Sequence, residues 1–157
     1  MEFTKSEKID FLLIDLFCGA GGTTTGAEKS GRCKVIAAIN HDPLAISSHA
    51  ANHAQVLHME EDILLADLGV VIDCVEKNKA KYPGAKVILW ASLECTNFSN
   101  AKGGLPRDAD SRSLANGMHR YLEQLNPDYF LVENVREFMS WGDLDCNGKP
   151  ISKVAGR

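Results

Sequence analysis

The stretch Phe11-Leu12-Leu13-Ile14-Asp15-Leu16-Phe17-Cys18-Gly19-Ala20-Gly21-Gly22 decides the fold. A nearly continuous apolar run breaks into a glycine-rich turn. Residues 23–30 then read as a helix closed by Gly31, since glycine suits the left-handed position after a helix. An apolar run without alternation is expected of a parallel strand covered on both faces. Residues 86–91 and Tyr129–Glu133 share that character, and shorter strands are predicted at 34–39 and 56–58. Pro43–Asn52 begins with proline, tolerated in a first helical turn, behind Asp42 as a cap. Leu68, Val71, Ile72 and Val75 fall on one helical face, as do Leu114, Met118, Tyr121, Leu122 and Leu125. Pro83-Gly84 and Asn126-Pro127-Asp128 punctuate the returns to strands. The alternation predicts a doubly wound, mostly parallel α/β sheet in strand order 3-2-1-4-5.

The 157 residues are enough for one core and not comfortably for two. With 45% hydrophobic and 24% charged residues, the chain reads as a water-soluble globular domain. No apolar stretch approaches the ~20 residues of a membrane helix, and the polar start Met1-Glu2-Phe3-Thr4-Lys5 is no signal peptide. Cys18, Cys33, Cys74, Cys95 and Cys146 form no Cys-x-x-Cys pair and are odd in number. That argues against a zinc site or disulfide framework and for a reducing cytoplasm. A net charge of −4 provides no global basic footprint, so any grip on nucleic acid must be local. Residues 140–157 are polar, with no strong strand or helix signal.

Three strand ends carry the chemistry. The first is the glycine turn. The second is Ser92-Leu93-Glu94-Cys95-Thr96-Asn97-Phe98-Ser99 after the run at 86–91, and the third is Glu133-Asn134-Val135. A thiol, a small-residue turn and a carboxylate at one edge suggest covalent catalysis beside a nucleotide-like ligand. The turn is no phosphate loop, because Ala27-Glu28 follow Gly26 where lysine and serine or threonine are required. It is no dinucleotide fingerprint either, because Thr24 stands at the third glycine. A methyl-donor nucleoside has no pyrophosphate and needs neither.

Asp15-Leu16-Phe17-Cys18-Gly19-Ala20-Gly21-Gly22 resembles the S-adenosylmethionine signature of the cytosine-5 DNA methyltransferases over eight consecutive residues. The resemblance runs from about 11 to 138 and implies a Rossmann-like, S-adenosylmethionine-dependent methyltransferase fold, truncated after about the fifth strand. It places the cofactor over Asp15, Phe17, Cys18, Gly19, Ala20, Gly21 and Gly22. Asn40 takes the place of the family's ribose-binding acid, with Asp42 as a substitute, and His41 that of the ring stacked on adenine. Asp62 would accept from the adenine amino group, and Ile63 would pack on the ring.

The same resemblance makes Cys95 the nucleophile, Glu133 the acid and Arg112, within Asp110-Ser111-Arg112, part of the catalytic loop. Cytosine carbon 5 is too weak a nucleophile to take a methyl group unaided. Thiolate addition at carbon 6, with an acid at ring nitrogen 3, makes it one. The base must leave the helix to be reached. Cys18 is the rival thiol, but its place inside the turn suits packing or cofactor contact. Where the family has Pro-Cys-Gln, this chain has Glu94-Cys95-Thr96. The loop loses proline's restraint, and a carboxylate ~5 Å away at an effective dielectric of ~20 costs the thiolate ~3 kcal/mol at most.

Family members are usually longer, so the chain is expected to be one partial catalytic domain without a target-recognition domain. The reading is the N-terminal part of a bacterial or phage DNA cytosine-5 methyltransferase of a modification system, acting on double-stranded DNA. Two others stand beside it: an RNA cytosine-5 methyltransferase, and a catalytically silent cofactor-binding or interaction module. An amino-directed methyltransferase is excluded by the lack of Asp/Asn-Pro-Pro-Tyr/Phe, and a zinc deaminase by the lack of Pro-Cys-x-x-Cys. Strand 129–133 would lie at the sheet edge, where either self-association or cover by residues 140–157 is expected.

Overall fold

The computed structural model describes residues 8–93, 109–136 and 138, with 109–116 as backbone alone. Its elements run β1 (Phe11–Leu16), α1 (Gly22–Lys29), β2 (Cys33–Asn40), α2 (Pro43–Asn52) and β3 (Leu57–Glu60). Then follow α3 (Leu68–Lys81), β4 (Lys86–Ser92), α4 (Ala109–Leu125) and β5 (Tyr129–Glu133). The strands form one sheet in the order β3-β2-β1-β4-β5, with every neighbouring pair parallel. The chain therefore winds outward from β1 to β3, crosses back through α3, and continues from β4 on the other side of β1. Between β1 and β4 the direction of winding reverses, which in such sheets opens a crevice at the strands' C-terminal ends.

Local chemistry sets the boundaries. Asp42 accepts from the Leu44 amide at 2.8 Å ahead of Pro43, and Asp67 caps α3 through Gly69 at 2.9 Å. Gly31 follows α1 with φ of 67°, in the left-handed region it was expected to occupy. β1 stops at Leu16 because Phe17 turns to φ of 58°. β3 starts one residue later than predicted and runs to Glu60, since Ala37–Asn40 of β2 provide it with backbone partners. That pairing is not visible in the sequence of 57–60 itself.

The larger core lies under α3 and α4. Leu12, Ile14 and Leu16 of β1, with Val87 and Leu89 of β4, meet Val71 and Val75 of α3 and Met118, Tyr121 and Leu125 of α4. The opposite face of the sheet packs Leu13, Val35 and Ala38 with Ile46 and Val56. Alternation along β1 sends Leu13 and Asp15 to that second face, under α1 and α2. Asp15 is thus a fully buried carboxylate just before the turn. At the other end of the sheet Asp128 receives Lys86 Nζ at 2.9 Å and the Val87 amide at 2.8 Å, docking the turn before β5 onto β4.

Candidate functional site

The glycine turn takes its shape from three residues with positive φ: Phe17 at 58°, Gly19 at 52° and Gly21 at 97°. It is tied down by Cys18 N donating to Ile39 O (3.3 Å) and Gly21 N to Cys18 O (3.1 Å). A Cβ on Gly21 would lie 2.8 Å from His53 Cδ2 and 3.1 Å from His49 Cδ2, so only glycine fits there. Gly19 and Gly22 have nothing within 4 Å of the Cβ position, so the turn is open along them. Gly21 is the N-cap of α1 without a side-chain cap, leaving the amides of the helix's first turn without a side-chain acceptor.

Beneath the turn lies a polar layer that the sequence did not announce. Thr24 Oγ1 donates to Asp15 Oδ2 (3.1 Å) and pairs with His49 Nε2 (3.0 Å). With its proton spent on Asp15, Thr24 must accept from His49, which sets His49 as the Nε2–H tautomer. His49 Nδ1 is then an acceptor, and His58 Nε2 donates to it at 2.8 Å. Beside this chain His53 bridges Thr25 Oγ1 (3.0 Å) and Glu28 (3.2 Å), and Gln55 holds the other Glu28 oxygen. Thr24, the residue that breaks the dinucleotide fingerprint, is the junction of the network. Burial lifts the Asp15 carboxyl to about 6 despite the Thr24 bond, and lowers His49 to about 4, helped by His58 and His53. Burial, then the charge of Asp15, pushes the Cys18 thiol up to about 12. Cys18 is therefore a packed thiol. Asp15 Oδ1, equally buried, has no hydrogen-bond partner.

The ends of β2 and β3 sit beside the turn. Asn40 Oδ1 accepts from the Asp42 amide (2.9 Å), leaving its NH2 and the oxygen's second lone pair to meet a ligand. Asp42 Oδ1 is likewise engaged at its cap, and His41 is exposed. Glu61 N donates to Asn40 O (3.0 Å), joining the loop after β3 to the end of β2. Asp62 is exposed while Ile63 is only 3% accessible. Phe17–Gly22, Asn40-His41 and Asp62-Ile63 are thus brought to one edge by two backbone bonds through β2.

On the other side of β1, Glu133 pairs in register with Ser92, three residues before Cys95. Asn134 Nδ2 donates to Leu93 O (3.1 Å), fastening the Glu133-Asn134 turn to the root of that segment. Glu94, Cys95 and Thr96 lie outside the described residues, as do Lys102, Arg107, residues 140–157 with Cys146, and the Arg112 side chain. Cys18, Cys33 and Cys74 are free thiols. Among the described residues, no group of histidine, cysteine and carboxylate side chains could hold a metal ion.

The family profile of the C-5 cytosine-specific DNA methylases matches residues 11–145. Among curated relatives, the type II methyltransferase M.AgeI of Thalassovita gelatinovora is 30% identical over 135 residues, 81% of this chain and 28% of that protein. M1.ScrFI of Lactococcus lactis subsp. cremoris is 27% identical over 85% of this chain and 31% of its own length. The chain thus spans less than a third of either relative's length. A crystal structure from E. coli, assigned as a prophage-encoded DNA modification methyltransferase, superimposes with a TM-score of 0.63 and 28% identity over 82% of this chain and 33% of its own. A strand-for-strand parallel sheet, the glycine turn at its switch point and a profile match across most of the length agree: this chain belongs to the C-5 cytosine-specific DNA methylase family.

Proposed function

We propose that this chain is the cofactor-binding and catalytic-loop portion of an enzyme that transfers a methyl group from S-adenosylmethionine to carbon 5 of cytosine in double-stranded DNA. One observation carries the reading: an open positive-φ turn and a carboxylate-bearing strand end flank the same switch point, on either side of β1. The residues fit a nucleoside methyl donor. Gly19 and Gly22 leave room for close approach, and buried Asp15 Oδ1 lacks a partner beside the turn. Asp15, Phe17, Cys18, Gly19, Ala20, Gly21 and Gly22 would hold the cofactor's amino-acid end, Asn40 and His41 its ribose and ring, Asp62 and Ile63 its adenine. Asn40 would meet the ribose through its free NH2, while its oxygen already accepts from the Asp42 amide. When bound, S-adenosylmethionine supplies an electrophilic methyl group.

The chain's own groups do the rest. Cys95, as thiolate, adds to carbon 6 of a flipped cytosine while Glu133 protonates or hydrogen-bonds nitrogen 3, so electron density moves to carbon 5. After methylation the carbon 5 proton is lost and the thiolate is expelled, restoring Cys95. Arg112 would steady the base or its phosphate. We place the protein in the cytoplasm; among the described residues no helix is long and apolar enough to cross a membrane. We further propose that the half-exposed strand Tyr129–Glu133 pairs with a second copy when nothing else covers it. The test of the chemistry is trapping on duplex DNA carrying 5-fluorocytosine, using the longest natural form of the protein with S-adenosylmethionine. A covalent adduct that disappears in Cys95→Ala is expected; an adduct that survives that change would overturn the role of Cys95.

A further inference from the structure

The turn after β3 is held by hydrogen bonds both from within and from α4. Three of its amides point back to Asp62: Leu64 N donates to Asp62 Oδ1 (2.8 Å), and Leu65 N and Ala66 N donate to Asp62 O (2.9 and 2.8 Å). Three of its carbonyls point to α4. Arg120 donates to Ile63 O (3.3 Å), Leu64 O (2.7 Å) and Ala66 O (2.8 Å), and Tyr121 Oη donates to Ile63 O at 2.7 Å. Leu64 also sits against Gly117, where a Cβ would come within 2.1 Å of Leu64 Cδ2. Between the buried anchors Ile63 and Ala66, Leu64 is 39% and Leu65 80% exposed, so apolar packing holds little of this path. A guanidinium, always charged and with several donors in one plane, is the side chain suited to gather three carbonyls.

We propose that Arg120, with Tyr121, is the positioning residue for adenine recognition, holding Asp62 and Ile63 in place from the helix that follows the Cys95 segment. This rests on the assignment of Asp62 to the adenine amino group made above. The carboxylate of Asp62 has one oxygen committed to Leu64 N and the other open, so its aim follows the turn, and the turn follows Arg120. α4 also begins in the Asp110-Ser111-Arg112 segment, so the same helix joins the adenine side of the cleft to the catalytic side.

A purely structural clamp would weaken every ligand alike, whereas a positioning clamp controls selectivity. Adenine offers Asp62 an amino donor; hypoxanthine offers a carbonyl that repels it. Calorimetric titration of the 157-residue chain with S-adenosylhomocysteine and S-inosylhomocysteine measures the difference. Wild type should prefer the adenine ligand by roughly tenfold or more. Arg120→Met should bring that ratio below about threefold, Arg120→Lys should restore part of it, and Tyr121→Phe should lie between. Circular dichroism checks folding; if Arg120→Met fails to fold, the lysine and Tyr121→Phe variants decide. An unchanged ratio in the folded variants overturns the inference while leaving Asp62's role intact. A wild-type chain that binds neither ligand, or both equally, overturns the Asp62 assignment itself and the clamp's role with it.

Discussion

Gly21 and Gly26 are both glycines at α1, and they should respond oppositely to alanine. At Gly21 the backbone has φ of 97° and the new methyl would press on His53 and His49. Left-handed strain plus a displaced imidazole should cost about 2–4 kcal/mol. Gly26 is an exposed position inside the helix with nothing near its Cβ position, so alanine should gain about 0.5–1 kcal/mol through the unfolded chain. Urea midpoints of the two variants check this; equal shifts would mean that the histidines do not confine the turn. Asp15 and His49 set a pH signature. The folded pKa of Asp15 is raised from 3.8 to about 6, so its contribution is full below 3.8 and lost as pH rises through 6. That of His49 is lowered from 6.5 to about 4, so its contribution is full above 6.5 and lost as pH falls through 4. Each amounts to at most roughly 3 kcal/mol, and they oppose one another across much the same window. These two contributions should nearly cancel from pH 4 to 6.5, leaving wild type the smaller loss on acidification that His58, lowered by burial, adds. Asp15→Asn, without the opposing carboxyl, should lose stability on acidification more steeply. Parallel profiles would show that Asp15 does not titrate there.

Among the elements, β5 is the anomaly. β1 is buried on both faces, yet Tyr129, Phe130, Leu131 and Val132 are 36–50% exposed, and among the described residues no strand pairs with the outer side of β5. Apolar side chains beside unpaired backbone groups invite strand addition. Sedimentation of the wild-type chain should show concentration-dependent dimers, and Leu131→Lys should shift the population to monomer; dimers unaffected by that lysine would exclude the edge. The sheet itself was legible because β1, β4 and β5 are apolar without alternation, the pattern of parallel strands; β1 is buried on both faces as that pattern implies, whereas β5 stays half-exposed. The ends of β3 were not, because its partners lie in β2 and leave no mark on its own residues. The candidate site divides in the same way. The turn and Glu133 stand at the ends of apolar runs and could be read directly, whereas Asp62 came only from the family resemblance. Only the spacing of His49 and His53, four apart on one helical face, hinted at the buried layer, and His58 joins it from another element. Arg120 looked like an ordinary helix cation, since its acceptors are backbone carbonyls, which no sequence displays.

For the molecule as a whole, charge and extent limit what these residues do alone. The chain carries a net charge of −4 and spans 28% and 31% of the two methyltransferases described above. Lys102, Arg107 and Arg112 are the cations in and just after the Cys95 segment. If all three touch phosphate, log affinity should fall against log salt with a slope no steeper than about −3, and binding at physiological salt should be weak. Fluorescence anisotropy on a labelled duplex measures both. Cofactor recognition requires far less: the turn, the ends of β2 and β3, and the Arg120 clamp all lie within the folded sheet and its helices. The two functions should therefore separate, with S-adenosylhomocysteine binding retained and tritiated methyl transfer to mixed-sequence duplex DNA at background. Turnover by these 157 residues that vanishes in Cys95→Ala would sink that separation. It would mean that the base can be flipped and held by the carboxylate of Glu133 and a handful of local cations, without the surface that the longer relatives bring.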